Sequence, residues 1–454
     1  MRGQKRKGLL YGLLALCMVC ICSGISYKKA YAADVDCTTY TGGNIGDQDY
    51  PWNWSSVMNS YLHDCGDGTL MRVQYVSSAK KIVIEYYDAS NYQIVNSKVI
   101  DPELPLFGGF YAMNGNYYIL TGQENKEESD AVEVYRITKY DKNWNKISNC
   151  GLFGANTYIP FDAGSARMTH TGNYLVIRTC HEMYKSSDGY HHQANVTIEV
   201  DTANMKVTDS YTGVMNIDYG YVSHSFNQFV KIKDGKIVAV DHGDAHPRSV
   251  VLCKYKYACT SGKFTKSVSS VDMVTPDGGE TGDNYTGLTV GGFEISSSTY
   301  MIAGTKSETY QYRTPKNVYI ATVPFNSSTV TYKQITSAIS SSETCSTPQL
   351  VKLTDNSFLV LWTQNSNLKY VKVDGSGNII GSIQSTTLKD ALSDCQPILV
   401  GKNVVWYTWK NNDVKFYEIN TETLDAKMSN IVVGHDYEYG TPVDGKVKLV
   451  CRKC

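Results

Sequence analysis

Six of the nine histidines fall in two short stretches of the chain, and they are its main chemical signal. These stretches read HEMYKSSDGYHH at 181–192 and HSFNQFVKIKDGKIVAVDHGDAHPR at 224–248. Imidazole can take or give a proton near pH 7, and it also binds transition metals. The residue types therefore allow three roles for these stretches: a metal site, a catalytic site, or polar loop structure.

A metal site would combine imidazole and carboxylate ligands, which suit Zn or Mn, whereas Ca would need more oxygen ligands. The sequence lacks the tight H-x-x-x-H spacing of helical metal sites. A divalent metal is therefore a hypothesis that depends on the fold bringing distant residues together. Its candidate ligands are His181, His191, His242 and either Asp241 or Asp244.

A catalytic site would use a histidine as the base, a tyrosine as a proton donor and an arginine to neutralise a substrate carboxylate. The candidates are His242, His181, Tyr312 and Arg248. The sequence contains no G-x-S-x-G elbow, no H-E-x-x-H, no phosphate-binding loop and no dinucleotide fingerprint. Whether the chain is an enzyme is therefore left open.

The third role is structural, and for any single residue it is the favoured one. Asp241 and Asp244 can cap turns, Pro247 can fix the exit of the loop, and Arg248 can pair with a nearby carboxylate. Taken as a cluster, the residues favour contact with a ligand. The ligand-contact set is completed by His192, His224 and His246.

The elements that must position these residues follow a repeated plan of strand, tight turn, strand, polar loop and strand. Two copies read TPQLVKLTDNSFLVLWTQNSNLKYVKVDGSGN at 347–378 and CQPILVGKNVVWYTWKNNDVKFYEINTET at 395–423. Seven such units occupy residues 66–432, at about 52 residues each. Short antiparallel strands repeated at this spacing are typical of a β-propeller, in which each blade packs against two neighbours.

The fold class is therefore predicted to be all-β, a β-propeller with seven four-stranded blades, with six or eight blades and a pair of stacked sandwiches as alternatives. In its repeat plan the chain resembles secreted bacterial propeller proteins. The His, Tyr and Arg candidates, on this fold, resemble the residues that propeller-fold polysaccharide lyases use to remove a proton beside a uronic acid carboxylate. That resemblance concerns residue types and fold, without a shared motif.

The propeller plan also predicts where the candidates lie. The loop between the second and third strands of a blade is on the same face as the link to the next blade, where the central channel opens. The middle loops of the third, fourth and fifth units carry five of these six histidines, with Asp241, Asp244, Arg248 and Tyr312, and His224 precedes the inner strand of the fourth unit. These residues are therefore expected to meet on one face.

The two ends of the chain differ from the repeats. Residues 1–32 have a basic start, an apolar stretch and Ala-Tyr-Ala at 30–32, which predicts a cleaved signal peptide and a secreted protein, with cell-surface association left open. Residues 33–65 are expected to add a ring-closing strand to the last blade or to lie across one face. Residues 433–454 contain His435 and a Cys451-x-x-Cys454 pair, which resembles the start of a small Cys-rich module.

Ten cysteines follow the predicted signal peptide, and an even number in an exported chain favours disulfides. The close pairs Cys37–Cys65 and Cys253–Cys259 are the predicted bridges, although spacing alone does not determine connectivity.

Charge excludes one class of partner. Without the signal peptide, 37 Lys and Arg face 44 Asp and Glu, so no basic surface for nucleic acid is expected. No second apolar stretch is long enough to span a membrane. The sequence thus predicts a secreted or cell-surface binding module for extracellular glycans, other polymers or a protein ligand, with a polysaccharide lyase or hydrolase as the alternative.

Overall fold

The structure is a computed structural model of the 454-residue chain. It describes residues 56–217, 220–222, 225–243, 247–263, 267–277, 286–309, 312–410, 413–429, 433–434, 437–439 and 449–451, with side chains except at 215–226, 308–314, 410–413 and after 429. Apart from a 3₁₀ turn at Ser341–Glu343, these residues form antiparallel strands and their connections. The predicted signal peptide lies outside them.

The first four blades each contain four strands that are consecutive in sequence. Blade 1 contains β1 (Ser60–Asp64), β2 (Thr69–Val76), β3 (Lys81–Asp88) and β4 (Ile94–Ile100). Blade 2 contains β5 (Leu106–Met113), β6 (Asn116–Gly122), β7 (Glu133–Tyr140) and β8 (Lys146–Phe153). Blade 3 contains β10 (Arg167–Thr171), β11 (Tyr174–Lys185), β12 (His191–Asp201) and β13 (Lys206–Tyr211), with β9 (Thr157–Pro160) also paired to β11. Blade 4 follows the hairpin β14 (Met215–Ile217) and β15 (Gly220–Val222), and contains β16 (Ser225–Lys233), β17 (Lys236–Gly243), β18 (Val250–Ala258) and β19 (Val268–Val274).

The last three blades follow the same plan. Blade 5 contains β20 (Gly292–Ile295), β21 (Thr299–Thr309), β22 (Tyr312–Pro324) and β23 (Thr331–Gln334). Blade 6 contains β24 (Gln349–Thr354), β25 (Ser357–Gln364), β26 (Asn367–Asp374) and β27 (Ile379–Lys389). Blade 7 contains β28 (Ile398–Val400), β29 (Asn403–Lys410), β30 (Asp413–Asn420) and β31 (Ala426–Met428), and β32 (Val433–Gly434) also pairs with β30. A separate hairpin joins β33 (Tyr437–Tyr439) to β34 (Leu449–Cys451).

The prediction of a seven-bladed, all-β propeller is confirmed, with the blades arranged in a ring. Local turn chemistry explains the strand pairing within a blade. Between β16 and β17, Asp234 and Gly235 both adopt positive φ angles, of 51° and 72°. Two such residues form the tight hairpin turn whose twist matches the flanking strands, as the KDGK stretch predicted.

Hydrophobic packing between blades closes the ring. Separate clusters of buried side chains join blades 1 and 2, blades 2 and 3, blades 3 and 4, blades 4 and 5, and blades 5 and 6. A larger cluster extends through blades 6, 7 and 1 and includes Leu361, Trp406 and Leu70. Each blade therefore buries both of its faces against neighbours, which a single four-stranded sheet could not do alone.

The described end of the segment 33–65 belongs to blade 1. Residues 60–64 form the inner strand of blade 1, in register with β2 through Leu62 and Arg72, and add no strand to blade 7. Blade 1 thus begins before the predicted boundary at residue 66. Leu62 on this strand packs in the cluster that joins blades 6, 7 and 1. Residues 33–55 lie outside the described part of the chain.

The strand order gives the ring two distinct faces. We call the upper face the one that carries the connections between second and third strands and the links between blades. The lower face carries the turns from first to second strands and from third to fourth strands. Within each blade the inner strand begins at the upper face and ends at the lower face.

The predicted disulfide Cys253–Cys259 is wrong. No disulfide joins the cysteines at 65, 150, 180, 253, 259, 345 and 395, whereas Cys37 lies outside the described residues. Cys253 lies within β18 and Cys259 just after it, and a strand advances about 3.3 Å per residue, so these residues are too far apart for a bridge. No helix in the described segments is long and apolar enough to cross a membrane.

Candidate functional site

Side chains along β11 point alternately toward the two neighbouring blades, and this alternation determines which blade His181 faces. Leu175 and Ile177 lie in the cluster between blades 2 and 3, whereas Val176 lies in the cluster between blades 3 and 4. His181 has the same parity as Ile177 and therefore faces blade 2. Its side chain is fully buried, and its Nδ1 lies 2.7 Å from the Thr157 Oγ1.

His191 and His192 lie beyond the tight turn of the same hairpin, on the upper face. The His191 ring stacks on Tyr158 with centroids 4.0 Å apart, and its Nδ1 lies 2.8 Å from the Met183 carbonyl oxygen. His192 is exposed, and its Nε2 lies 2.7 Å from the Asp188 carboxylate. Of the two, only His192 offers a largely solvent-exposed imidazole.

Asp241 is committed to an ion pair between blades. Arg178 on β11 donates to both of its carboxylate oxygens, at 2.9 Å through Nε and also through Nη2. The same guanidinium donates to the Thr197 Oγ1 at 2.7 Å and to the Tyr255 hydroxyl at 2.9 Å. Both charged side chains are fully buried. This arrangement joins blade 3 to blade 4.

His242 follows Asp241 on a regular stretch of β17 and therefore points the opposite way, toward blade 5. The neighbouring charges support this direction, because Arg248 and Lys316, the latter on blade 5, both act on the His242 imidazole. Burial, together with those two cations, lowers the pKa of His242 to about 3. His242 is therefore a neutral, buried imidazole at ordinary pH.

The burial of neutral His242 predicts how the free energy of unfolding depends on pH. The unfolded chain would take up a proton near pH 6.5, whereas the folded chain would do so only near pH 3. Stability should therefore fall as the pH drops through this window, by up to about 1.4 kcal/mol per unit. We expect His242→Gln to flatten this part of the curve, measured by urea unfolding at each pH. Parallel curves for His242→Gln and the wild type would contradict the prediction.

The predicted cluster is thus divided by the structure. His181 faces blade 2, His242 faces blade 5, and Asp241 pairs with Arg178 between blades 3 and 4, while His191, His192 and half-buried Arg248 lie on the upper face. Among the described residues, no group of three His, Cys, Asp or Glu side chains is arranged to hold a metal. His224, Asp244 and His246 lie outside the described residues, as does the side chain of Tyr312, and the metal site stays a prediction.

A different site lies in the central channel, which sequence reasoning missed. A cavity of about 580 Å³ is lined by residues of all seven inner strands or of the segments that lead into them. Most of its lining residues come from within these strands, such as Tyr111 of β5, Lys231 of β16 and Lys352 of β24, so it lies inside the channel. Its wall is mainly apolar and aromatic, with a few polar groups: Tyr61, Phe110, Tyr111, Arg167, Met168, Phe229, Lys231, Phe293, Glu294, Leu350, Lys352 and Ile398.

Arg167 is the main charged feature of this channel. Its guanidinium lies over the Phe229 ring at 4.6 Å, and its Nε donates to the Gln228 carbonyl oxygen at 3.3 Å. Burial lowers the pKa of Arg167 to about 10, partly offset by Tyr61 and Asp394, so the side chain is charged at neutral pH. Within the described part of the chain, no carboxylate lies within ion-pair distance of Arg167. The two lysines of the channel differ in this respect, because each has a carboxylate partner.

Those lysines are already paired. Lys231 lies 2.7 Å from the Glu294 carboxylate, and Lys352 lies 2.7 Å from Asp355 while donating to the Ile295 carbonyl oxygen at 2.8 Å. The repeated stretches FVKI, LVKL and GFEI place these residues at equivalent positions of their inner strands. That repetition was the available sequence signal for a channel-facing position, whereas the histidine count drew attention to the loops.

A tyrosine and a histidine meet at the channel wall. The Tyr111 hydroxyl lies 3.0 Å from the Nδ1 of His170. Burial raises the pKa of Tyr111 to about 12, with Thr169 acting in the opposite direction, and burial lowers the pKa of His170. Both groups are therefore neutral at ordinary pH, next to a channel that holds a charged arginine.

No known protein family and no curated protein matches the chain. Among solved structures, a candidate 6-phosphogluconolactonase from Bacteroides fragilis aligns with a TM-score of 0.47 and 11% identity, over 81% of this chain and 96% of that one. Apo AztD from Citrobacter koseri gives 0.38 and 11%, over 82% and 84% of the two chains. The hemagglutinin-neuraminidase ectodomain of parainfluenza virus 5 gives 0.41 and 10%, over 84% and 96%. Likenesses at this level say nothing about ligand or activity.

Proposed function

We propose that this propeller is a secreted or cell-surface binding module that recognises an acidic extracellular glycan, with one sugar carboxylate bound in the central channel. The observation that carries the proposal is Arg167, a charged guanidinium in an aromatic channel without a carboxylate partner among the described residues. A half-buried cation is costly unless an anion accompanies it, and a bound carboxylate would supply that anion.

The rest of the channel suits a sugar. Aromatic side chains such as Phe110, Phe229 and Phe293 offer apolar surface for the C–H faces of a pyranose ring, while Tyr61 and Tyr111 offer hydroxyl groups. The volume lies within the range of roughly 300–1,000 Å³ that is common for ligand cavities. Exposed His192 and nearby upper-face loops could then contact sugars outside the channel, as the sequence predicted for blades 3 to 5.

Replacing Arg167 tests this proposal. We expect Arg167→Gln to weaken binding of trigalacturonate by at least about tenfold, because a charge-assisted hydrogen bond to the carboxylate is lost. Isothermal titration calorimetry measures the affinity. Arg136→Gln is the matched control, since Arg136 on blade 2 already pairs with Glu133 outside the channel and should leave the affinity unchanged.

Melting curves of both variants show whether they remain folded. Equal affinity of folded Arg167→Gln and wild-type protein for trigalacturonate would contradict the proposal, and so would the lack of any binding by the wild type.

The second candidate function is a polysaccharide lyase, and the contact between His170 and Tyr111 favours it, because Tyr111 lines the same channel as Arg167. In such a reaction Arg167 would neutralise the uronate carboxylate, a neutral base would remove the adjacent proton, and a tyrosine hydroxyl would protonate the departing oxygen. A hydrolase is less well supported, because that chemistry uses two carboxyl groups and Glu294 is the one acid among the residues that line the cavity. Ultraviolet absorbance of unsaturated product during the same titration would select the lyase over the binding module.

A further inference from the structure

A second cavity lies on the lower face, between blades 1 and 2. Its volume is about 710 Å³, and its wall comes from strand ends and lower-face turns, including the end of β1, the turn between β5 and β6, and the loop after β7. All its lining residues belong to the described part of the chain. The polar ones are His63, Asp64, Asp67, Thr69, Tyr86, Asn96, Asn114, Asn116, Tyr117, Lys142, Asn143 and His170.

The charged groups of this cavity do not neutralise one another. Asp64, Asp67 and Lys142 have no ion pair among the described residues, although all three line the same space. Burial lowers the pKa of His63, with Lys142 acting in the same direction and Asp64 opposing, so this imidazole is neutral. The cavity thus combines two acceptor carboxylates with one donor ammonium and presents no strong excess of either charge.

The two carboxylates are held in place by the backbone. Asp64 accepts a hydrogen bond from the Gly66 amide at 2.9 Å, and Asp67 accepts from the Thr69 amide at 3.0 Å and the Thr69 hydroxyl at 2.6 Å. Each bond uses the Oδ1 atom, which leaves the Oδ2 atom available to a ligand. Fixed acceptors on short turns bind with little loss of conformational entropy.

The aromatic part of the wall is also rigid. Tyr86 accepts a hydrogen bond from the Trp144 Nε1 at 3.0 Å, and Tyr117 packs against the Trp144 ring at 4.8 Å. His63 meets the Tyr117 ring edge-on at 6.1 Å. Asn114 connects the turn of blade 2 to blade 3, because its Nδ2 donates to the Gly172 carbonyl oxygen at 2.9 Å.

The geometry points to a binding site for a neutral saccharide in this lower cavity. Sugar hydroxyls donate and accept at once, which matches a wall of asparagine amides, phenols and imidazoles that do the same. Carboxylates that accept and an ammonium that donates can hold neighbouring hydroxyls without requiring charge on the ligand. This site is separate from the proposed function, because the two cavities share no lining residue and this one does not include Arg167; its His170 contacts the channel residue Tyr111.

Titration calorimetry with maltotriose, cellotriose and laminaritriose tests the inference, with trigalacturonate as the charged comparison. We expect at least one neutral trisaccharide to bind, and Asp67→Ala and Lys142→Met each to weaken it by about tenfold or more. Asp88→Ala is the matched control. Asp88 caps a turn through Ser90 in the same way as Asp67 does through Thr69, but Asp88 does not line the cavity.

The outcomes separate this site from the channel. Arg167→Gln should leave binding of the neutral trisaccharide unchanged, whereas the lower-cavity variants should leave binding of trigalacturonate unchanged. The inference is overturned if none of the three neutral trisaccharides binds at millimolar concentration. It is also overturned if binding survives in folded Asp67→Ala and Lys142→Met, or falls equally in Asp88→Ala.

Discussion

Asp241→Ala should lower the free energy of unfolding by about 3–5 kcal/mol, the cost of leaving one member of a buried ion pair without its partner. Arg178 would keep its charge in a fully buried position between blades 3 and 4. Its bonds to Thr197 and Tyr255 would remain, but neither group carries a compensating negative charge. Equilibrium unfolding in guanidinium chloride measures the difference.

A surface pair provides the control for this prediction. Asp277 lies 2.9 Å from the Lys306 ammonium and is largely exposed, so Asp277→Ala should cost no more than about 1 kcal/mol. The double variant Arg178→Met with Asp241→Leu should recover most of the lost stability, because it removes both charges at once. If Asp241→Ala kept wild-type stability and lost ligand binding, Asp241 would be a ligand contact, as the sequence first suggested.

The case of Asp241 shows why the sequence predicted the fold better than the site. Strand patterns and turns repeat seven times, so local chemistry was enough to predict the blades and to place the loops. A shift of the strand by one residue would turn a side chain from one neighbouring blade to the other. Asp241 and His242 are neighbours in sequence, yet they serve different interfaces, and a count of histidines does not distinguish them.

Long-range contacts account for the other differences. Arg178 and Asp241 are 63 residues apart, and neither position carries a local signal that predicts their pairing. The channel collects a few residues from each of seven strands that are distant in sequence, so Arg167 looks like an ordinary strand residue in the sequence. The even number of cysteines suggested bridges, but the described thiols belong to separate strands or turns and are held apart by the blades.

A second buried ion pair, within blade 1, lies against blade 7. Arg72 on β2 donates to the Glu85 carboxylate at 2.5 Å, and the Tyr87 hydroxyl donates to the same oxygen at 2.6 Å. The Arg72 guanidinium also lies over the Tyr407 and Trp409 rings of blade 7, at 5.2 and 4.7 Å. One side chain thus connects the first blade to the last.

Arg72→Met should therefore cost about 3–5 kcal/mol of stability, since Glu85 would stay buried without a cation and the contact with blade 7 would lose its cation–π attraction. Adding Glu85→Gln should recover much of this loss, because glutamine keeps an acceptor for Tyr87 without a buried charge. Guanidinium unfolding of the single and double variants gives both values.

The position of the Arg72–Glu85 pair also predicts which part of the Arg72→Met variant unfolds first. Among the described strands, each blade consists of its own consecutive strands, and none is shared between blades 7 and 1. Amide hydrogen exchange in Arg72→Met should accelerate first in β2, β3, β29 and β30, before the other blades open. Asp241→Ala should show no such preference for blades 1 and 7. Uniform acceleration in Arg72→Met would mean that ring closure does not depend on this arginine.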